Sequence, residues 1–211
     1  MDFREVIETT GACRHYRPDP VSDEVLARVL DAARWAPTGG NRQGVRFLAV
    51  RDPVKKRALR DLYVPLWEQY VARAGARGTG APLPKLVAAA DHMARHLDEV
   101  PVLLVVCAHL GDLLATDRHL DRLSVVAGGS IYPAVQNVLL AARAEGLGTA
   151  LTTLLCAVEP QVKELFGIPS DVLTAAMIPL GHPAQPFPKK LARRPLSDIC
   201  FGDAWGEPAF R

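Results

Sequence analysis

The stretch Ala32-Ala33-Arg34-Trp35-Ala36-Pro37-Thr38-Gly39-Gly40-Asn41-Arg42-Gln43 joins the end of a predicted helix to a polar, glycine-rich loop. Before it, Ser22 can cap a helix whose apolar residues recur at helical spacing over residues 25–33. The helix is expected to stop near the Ala-Pro pair, because proline disfavours helical backbone in the residue before it. Residues 45–50 follow as an apolar run that ends at an Asp-Pro pair, which is typical of a strand. The stretch therefore predicts a helix, a loop and a strand in succession.

The rest of the chain continues this alternation of helices and strands. Helical patterns recur in four later segments: residues 53–76, 85–97, 124–145 and 159–166. Apolar, β-prone runs occupy three segments: residues 100–107, 149–155 and 173–180. No internal repeat or low-complexity tract divides the 211 residues, so we expect a single α+β domain spanning residues 1–211.

Two segments depart from this compact pattern. Residues 75–84 are rich in glycine and proline and cannot continue a helix, so we expect an excursion there. The segment 62–97 is interpreted as a lid over a substrate pocket, and it bears three aromatic candidates: Tyr63, Trp67 and Tyr70. Residues 183–211 begin with a proline-rich, basic stretch, which predicts an extended arm. Arms of this kind often wrap a partner subunit.

The composition argues against several classes of protein. A net charge of +2 with well-mixed signs lacks the field by which nucleic-acid-binding proteins attract a phosphate backbone. The longest apolar runs fall far short of the roughly 20 residues needed to cross a bilayer. The first residues are charged and do not resemble an export leader. We therefore expect a cytoplasmic protein without nucleic-acid or membrane partners.

Neither the cysteines nor the histidines predict a metal site. The four cysteines are scattered and form no Cys-x-x-Cys pair, so they are interpreted as reduced thiols that mostly fill the core: Cys13, Cys107, Cys156 and Cys200. His92 and His96 have the spacing of two zinc ligands on a helix. They lack the glutamate and the third ligand of a metal hydrolase, so they are interpreted as surface histidines.

Five landmarks along the chain resemble the FMN-dependent nitroreductase superfamily, which includes nitroreductases, flavin reductases and iodotyrosine deiodinases. In order they are Ala12-Cys13-Arg14-His15-Tyr16, the stretch from Ala32 to Gln43, Ala141 to Thr149, Leu165-Phe166-Gly167-Ile168-Pro169 with Ile178 to Pro183, and Arg193-Arg194-Pro195-Leu196. The resemblance implies a central, mostly antiparallel sheet of four to five strands flanked by long helices. It also implies a homodimer with the active site at the subunit interface and the C-terminal arm extending to the partner subunit.

One departure from the family pattern concerns the binding of phosphate. Thr10, Gly11 and Ala12 stand where many relatives have a second arginine and a serine. One usual phosphate contact is therefore either missing or supplied from elsewhere in the chain.

The resemblance implies an FMN-dependent oxidoreductase. In this interpretation NADH or NADPH reduces bound FMN, which then reduces a small organic acceptor such as a nitroaromatic or a quinone, by a ping-pong mechanism. The hydride step needs no acidic or basic side chain, so no catalytic residue is assigned. The absence of a Gly-x-Gly-x-x-Gly motif after a strand fits a nicotinamide cofactor that stacks transiently on the flavin.

Two arginines are the candidate ligands of the FMN phosphate. Arg14 is the stronger, because a guanidinium group matches two phosphate oxygens at once. The second comes from the basic arm, where either Arg193 or Arg194 could reach the same phosphate, and a solvated run of charges is the alternative for both.

The remaining candidates surround the other parts of the flavin. His15 could contact the cofactor, whereas Tyr16 is expected in the core. Thr38, from the neighbouring subunit, and Asn41 offer hydrogen bonds to the flavin, and Gln43 either does so or braces its loop. Three residues are expected near flavin N5: Leu151, Thr152 and Thr153.

Three rival functions remain open, and all three bind a flavin. One is reductive dehalogenation, and another is a different FMN reaction such as ene reduction or an oxygen-dependent one. The third is a flavin-binding protein without turnover. The charged triad that would hold a zwitterionic amino acid is not evident in the lid, so a halotyrosine substrate is not favoured.

Overall fold

A computed structural model of the chain describes residues 1–73 and 84–210. The predicted excursion at residues 75–84 therefore lies outside the described residues, apart from Pro84. Within the described ranges, no helix combines the length and the apolar character needed to span a bilayer.

The described residues contain one four-stranded sheet. Its strands are β1 (Val45–Val50), β2 (Val102–His109), β3 (Gly148–Thr149) and β4 (Val172–Gly181). They lie in the order β1-β2-β4-β3, and every neighbouring pair is antiparallel. The predicted α+β fold with a mostly antiparallel sheet is therefore confirmed.

Within residues 1–73 and 84–210, six helices accompany the sheet: α1 (Phe3–Thr9), α2 (Asp23–Ala33), α3 (Pro53–Arg73), α4 (Lys85–Arg95), α5 (Tyr132–Ala144) and α6 (Glu159–Phe166). Ser22 caps α2 as predicted, since its hydroxyl accepts a hydrogen bond from the backbone N–H of Val25. The predicted strand at residues 45–50 and the predicted helix at residues 159–166 match β1 and α6 at both ends.

Two core clusters lie on opposite faces of β2, because successive side chains of a strand point to opposite faces. Leu104 and Val106 pack with α2 and α5 in one cluster. Leu103 and Val105 pack with α3, α4 and α6 in the other. The strand is buried along its length up to His109, which is the pattern predicted from its unbroken apolar run.

Two predicted boundaries are wrong by several residues. The helix predicted at residues 124–145 begins only at Tyr132, after a 3₁₀ turn at Ala127–Ser130. Pro133 favours this late start, because it has no N–H to continue a helix from the preceding glycines. The strand predicted at residues 149–155 is regular only to Thr149, although Thr152 still forms an isolated antiparallel bridge with Met177 of β4. A 3₁₀ turn then begins at Leu154, whose backbone N–H donates to the hydroxyl of Thr152.

The beginning of the arm packs on the N-terminal segment of its own chain. The backbone N–H of Ala184 donates to the carbonyl oxygen of His15 at 2.9 Å, and the backbone N–H of Leu191 donates to the carbonyl oxygen of Glu8 at 2.9 Å. The arm up to Leu191 therefore stays on the body of its own chain. The prediction that the whole segment 183–211 extends away from the body is wrong for this part. Its later part is more exposed and carries Leu196, Ile199, Trp205 and Phe210 at the surface.

Candidate functional site

A cavity of about 730 Å³ brings together the two ends of the chain. The N-terminal loop at residues 10–15 forms one wall, the start of α4 forms a second, and the arm at residues 183–193 forms a third. Arg14 and Arg193 both line it, although 178 residues separate them in sequence. Arg194 is exposed and is not among the lining residues. Of the two candidates on the arm, Arg193 therefore lies at this cavity.

Neither arginine at the cavity is neutralised by a described acidic residue. Arg14 donates to the carbonyl oxygen of Ala12 at 3.4 Å, and Arg193 donates to that of Ala192 at 2.8 Å. The lining residues include Lys85 but no aspartate or glutamate, and part of the wall is apolar, with Leu86, Ala89 and Phe187. Such a cavity suits an anion that carries an uncharged, carbon-rich portion.

Tyr16 belongs to the framework of this loop. Its hydroxyl donates to the carbonyl oxygens of Cys13 at 2.8 Å and Pro179 at 3.2 Å. Burial holds the pKa of Tyr16 well above its ordinary value, with a smaller contribution from Cys13. The backbone N–H of Cys13 in turn donates to Thr149 of β3 at 2.7 Å, so the sheet edge fixes the loop that carries Arg14.

The glycine-rich loop is held in an unusual backbone conformation. Gly40, Asn41 and Gln43 have φ values of 61°, 54° and 52°, in the left-handed region that non-glycine residues seldom adopt. The backbone N–H of Gln43 donates to the hydroxyl of Thr38 at 3.1 Å, and its side-chain amide donates to Oδ1 of Asn41 at 3.1 Å. Gln43 therefore braces the loop, and these bonds leave the hydrogen of the Thr38 hydroxyl available to a ligand.

Helix α5 and the turn before it hold this loop and the end of α2 that precedes it. The backbone N–H of Gly39 donates to Oγ of Ser130 at 3.1 Å, and the amide of Asn137 donates to the carbonyl oxygen of Ala32 at 3.0 Å. Thr38 and Gln43 line a second cavity of about 220 Å³, which shares no lining residue with the first. A single chain thus presents the loop residues and the two arginines at separate cavities.

Thr152 connects the end of β3 to helix α3. Its hydroxyl lies 3.1 Å from the hydroxyl of Tyr63. Burial raises the pKa of Tyr63, while the hydrogen bond to Thr152 and the positive charge of Arg14 oppose that rise. Thr152 and Arg14 therefore both lower the pKa of the same side chain, that of Tyr63. Leu151 and Thr153, which flank Thr152 in sequence, are exposed.

The model for the Nitroreductase family matches residues 7–182 of the chain, well over half of its length. The chain belongs to the nitroreductase family. It is 30% identical to a NADH dehydrogenase of Thermus thermophilus, over 88% of each protein. It is 31% identical to a 5,6-dimethylbenzimidazole synthase of Rhodospirillum rubrum, over 83% of this chain and 79% of that protein. A crystal structure of oxidized iodotyrosine deiodinase bound to FMN and 3-iodo-L-tyrosine is similar in fold, with a TM-score of 0.69, 24% identity and coverage of 91% of this chain and 95% of that one.

The lid hypothesis needs correction for two of its three aromatic residues in this nitroreductase-family chain. Tyr63 and Trp67 are only 2% and 7% exposed, because they lie on the buried face of α3 in the second core cluster. The indole N–H of Trp67 donates to Asp91 of α4 at 2.9 Å, which joins the two helices. Tyr70 is 55% exposed and is the one of the three that remains available at the surface.

Three histidine rings stack on one another beside the large cavity. The ring of His92 lies 4.3 Å from that of His15 and 4.1 Å from that of His96, which joins α4 to the loop at the large cavity. The i, i+4 spacing could have predicted the second contact, but nothing in the sequence predicts the first. No group of three potential metal ligands forms among residues 1–73 and 84–210.

Arg143 connects three elements of the fold, a role that the sequence pattern did not predict. Its guanidinium lies 3.9 Å from the centre of the Phe187 ring, and its Nε donates to the hydroxyl of Thr9 at 3.0 Å. The side chain is almost fully buried. It therefore joins α5, α1 and the arm behind the cavity.

The cysteines differ in burial. All four are free thiols, and only Cys107 is fully buried. Burial raises its pKa to about 11, so this thiol is unreactive at neutral pH.

Acid is expected to destabilise the protein in part through His92. Partial desolvation by the packed imidazole rings lowers the pKa of His92, although its side chain is exposed on one side, and the imidazoles of His96 and His15 lower it further. The unfolded chain then binds more protons than the folded chain below an ordinary histidine pKa of about 6.5. The free energy of unfolding should therefore fall as pH drops from about 6.5 through the folded-state pKa.

The prediction can be measured by urea unfolding at pH 7.5 and 5.5. His92→Gln should lose less stability between the two pH values than the original protein, and His119→Gln, on an unrelated loop, should lose as much as the original. An acid dependence left untouched by His92→Gln would contradict the assignment.

Proposed function

We propose that this protein is an FMN-dependent oxidoreductase that uses NADH or NADPH as electron donor. The observation that carries the proposal is the cavity that joins Arg14 and Arg193 without an acidic lining residue. An FMN phosphate carries between one and two negative charges at neutral pH and offers oxygens to guanidinium donors. Membership of the nitroreductase family and the similarity to a NADH dehydrogenase support the same function.

The residues of the chain have separate roles in this proposal. Arg14 and Arg193 bind the phosphate, and Leu86 and Phe187 keep water from the uncharged part of the ligand. Thr152, which contacts the hydroxyl of Tyr63, is assigned to the isoalloxazine edge, to which it offers a hydroxyl and backbone groups. Bound FMN supplies the redox chemistry, by accepting a hydride from the nicotinamide and passing electrons to a small organic acceptor such as a nitroaromatic or a quinone.

The protein is proposed to act as a homodimer with two shared sites. Thr38 and Asn41 lie on a pre-formed loop away from the cavity of Arg14, so the loop is best placed to serve the site of a partner copy. Exposed Leu196, Ile199, Trp205 and Phe210 on the later part of the arm supply apolar surface for such a contact.

The names of the relatives span more than one reaction. They include a NADH dehydrogenase, a 5,6-dimethylbenzimidazole synthase and an iodotyrosine deiodinase. Reductive dehalogenation, another FMN reaction or flavin binding without turnover are therefore the alternatives to the reduction of an organic acceptor. The cofactor site would be the same in each case.

The function is tested by an absorbance spectrum and an anaerobic titration of the purified protein. We expect a yellow protein whose flavin bleaches with stoichiometric NADH or NADPH and recovers its colour with a quinone. Bleaching without recovery would favour a different acceptor, and bound FMN that neither nucleotide bleaches would favour a flavin-binding protein. A colourless protein that cannot be reconstituted with FMN would refute the proposal.

A further inference from the structure

We propose that Lys85, at the start of α4, is a third cationic ligand of the FMN phosphate. The inference rests on the proposed function and deepens it by adding α4 to the phosphate site. Nothing in the sequence pattern had singled out this lysine.

Lys85 occupies the wall of the large cavity formed by α4, whereas the loop at residues 10–15 and the arm form the others. Each of the three walls contributes one basic side chain of this kind to the lining: Arg14, Lys85 and Arg193. No described aspartate or glutamate within 4 Å pairs with Lys85, Arg14 or Arg193, so the charge of all three is available to an anion.

The N-terminal loop cannot supply this third cation itself. The hydroxyl of Thr10 donates to the carbonyl oxygen of Val6 at 2.6 Å, and Ala12 has no polar side chain. A side chain at Gly11 would begin 3.1 Å from Cγ of Pro188 and 3.3 Å from Cδ2 of Leu191, because the arm packs against the glycine. The arm thus fills the space that a second arginine in this loop would need.

A third cation adds its own attraction to the phosphate, and each added charge counts because solvent screens the others. Lysine suits the third position, because its flexible stem places a point charge without demanding the planar geometry of a guanidinium. Screening by solvent limits the contribution of an exposed lysine, so its effect should be smaller than that of Arg14.

A contact between Lys85 and the phosphate would also hold α4 against the loop that binds the cofactor. His92 on the same helix already stacks on His15, next to Arg14. A phosphate bound between Arg14 and Lys85 would join the two elements at a second point. FMN should therefore protect the backbone amides of α4 from hydrogen exchange, and riboflavin, which lacks the phosphate, should protect them less.

The test compares dissociation constants for FMN and riboflavin in the full-length protein and three variants. Lys85→Met should weaken FMN binding about threefold to fivefold, the range expected for an exposed charge, and leave riboflavin binding within about twofold. Lys85→Arg should stay close to the original protein. Lys55→Met, which removes an exposed lysine outside the cavity, should change neither constant.

Two outcomes would overturn the inference. One is a Lys85→Met protein with unchanged affinity for FMN, and the other is an equal loss for FMN and riboflavin, which would mean that Lys85 acts on the packing of α4 rather than on the phosphate. In both cases binding of FMN by the unmodified protein would leave the proposed function standing. Failure of the unmodified protein to bind FMN would refute the proposed function and the inference with it.

Discussion

Arg14→Ala is expected to weaken the binding of FMN by at least about tenfold. The substitution removes a guanidinium whose hydrogen bonds to a charged group contribute on the order of 1.5–3 kcal/mol, and about 1.4 kcal/mol corresponds to tenfold in affinity. The dissociation constant can be measured by quenching of flavin fluorescence in the apoprotein. Arg14→Lys should lose less, since it keeps the charge but not the paired donors.

The matched control is Arg194→Ala. This arginine is exposed on the same arm as Arg193 but does not line the cavity. It should bind FMN as tightly as the original protein, whereas Arg193→Ala should be impaired. Equal effects of Arg193→Ala and Arg194→Ala would mean that the arm acts only as a diffuse basic segment.

Heterodimers that carry Arg14→Ala and Thr38→Val are expected to distinguish a shared site from a self-contained one. If each site takes Arg14 from one subunit and Thr38 from the other, placing one substitution on each subunit leaves one intact site per dimer. Placing both substitutions on the same subunit damages both sites. A self-contained site predicts the reverse for the two arrangements.

The measurement is tightly bound FMN per heterodimer, with the two subunits isolated through different affinity tags. The proposal predicts about one FMN for the split arrangement and a clear deficit for the combined one. More FMN in the combined arrangement would place Arg14 and Thr38 in the same subunit's site. Thr38→Val nearly preserves the volume of the side chain but removes the acceptor of the Gln43 backbone N–H. Thr38→Ser keeps that acceptor and is the control for the conformation of the loop, so it should bind FMN like the original protein.

Local sequence patterns predicted most of the fold. Strand β2 was recognisable because an unbroken apolar run is covered on both faces, and α2 because its cap and its periodicity agree. The start of α5 was missed because helical periodicity continues through residues that two glycines and Pro133 divert into a turn. Short-range pattern therefore identified the elements better than their ends.

The candidate site depended on contacts that no local pattern contains. Arg14 and Arg193 were predicted from the resemblance to the family, and they line one cavity. The burial of Tyr63 and Trp67 follows from how α3 packs on the sheet, which aromatic character alone does not reveal. The position of Lys85 at the cavity and the contact of His15 with His92 arise from the packing of α4 beside the N-terminal loop, so they required the structure.

The binding of one FMN phosphate by both Arg14 and Arg193 can be tested by a crystal structure of the protein soaked or co-crystallised with FMN. We expect phosphate oxygens within about 3 Å of guanidinium nitrogens of both arginines. A phosphate bound elsewhere, with both arginines directed into solvent, would contradict it.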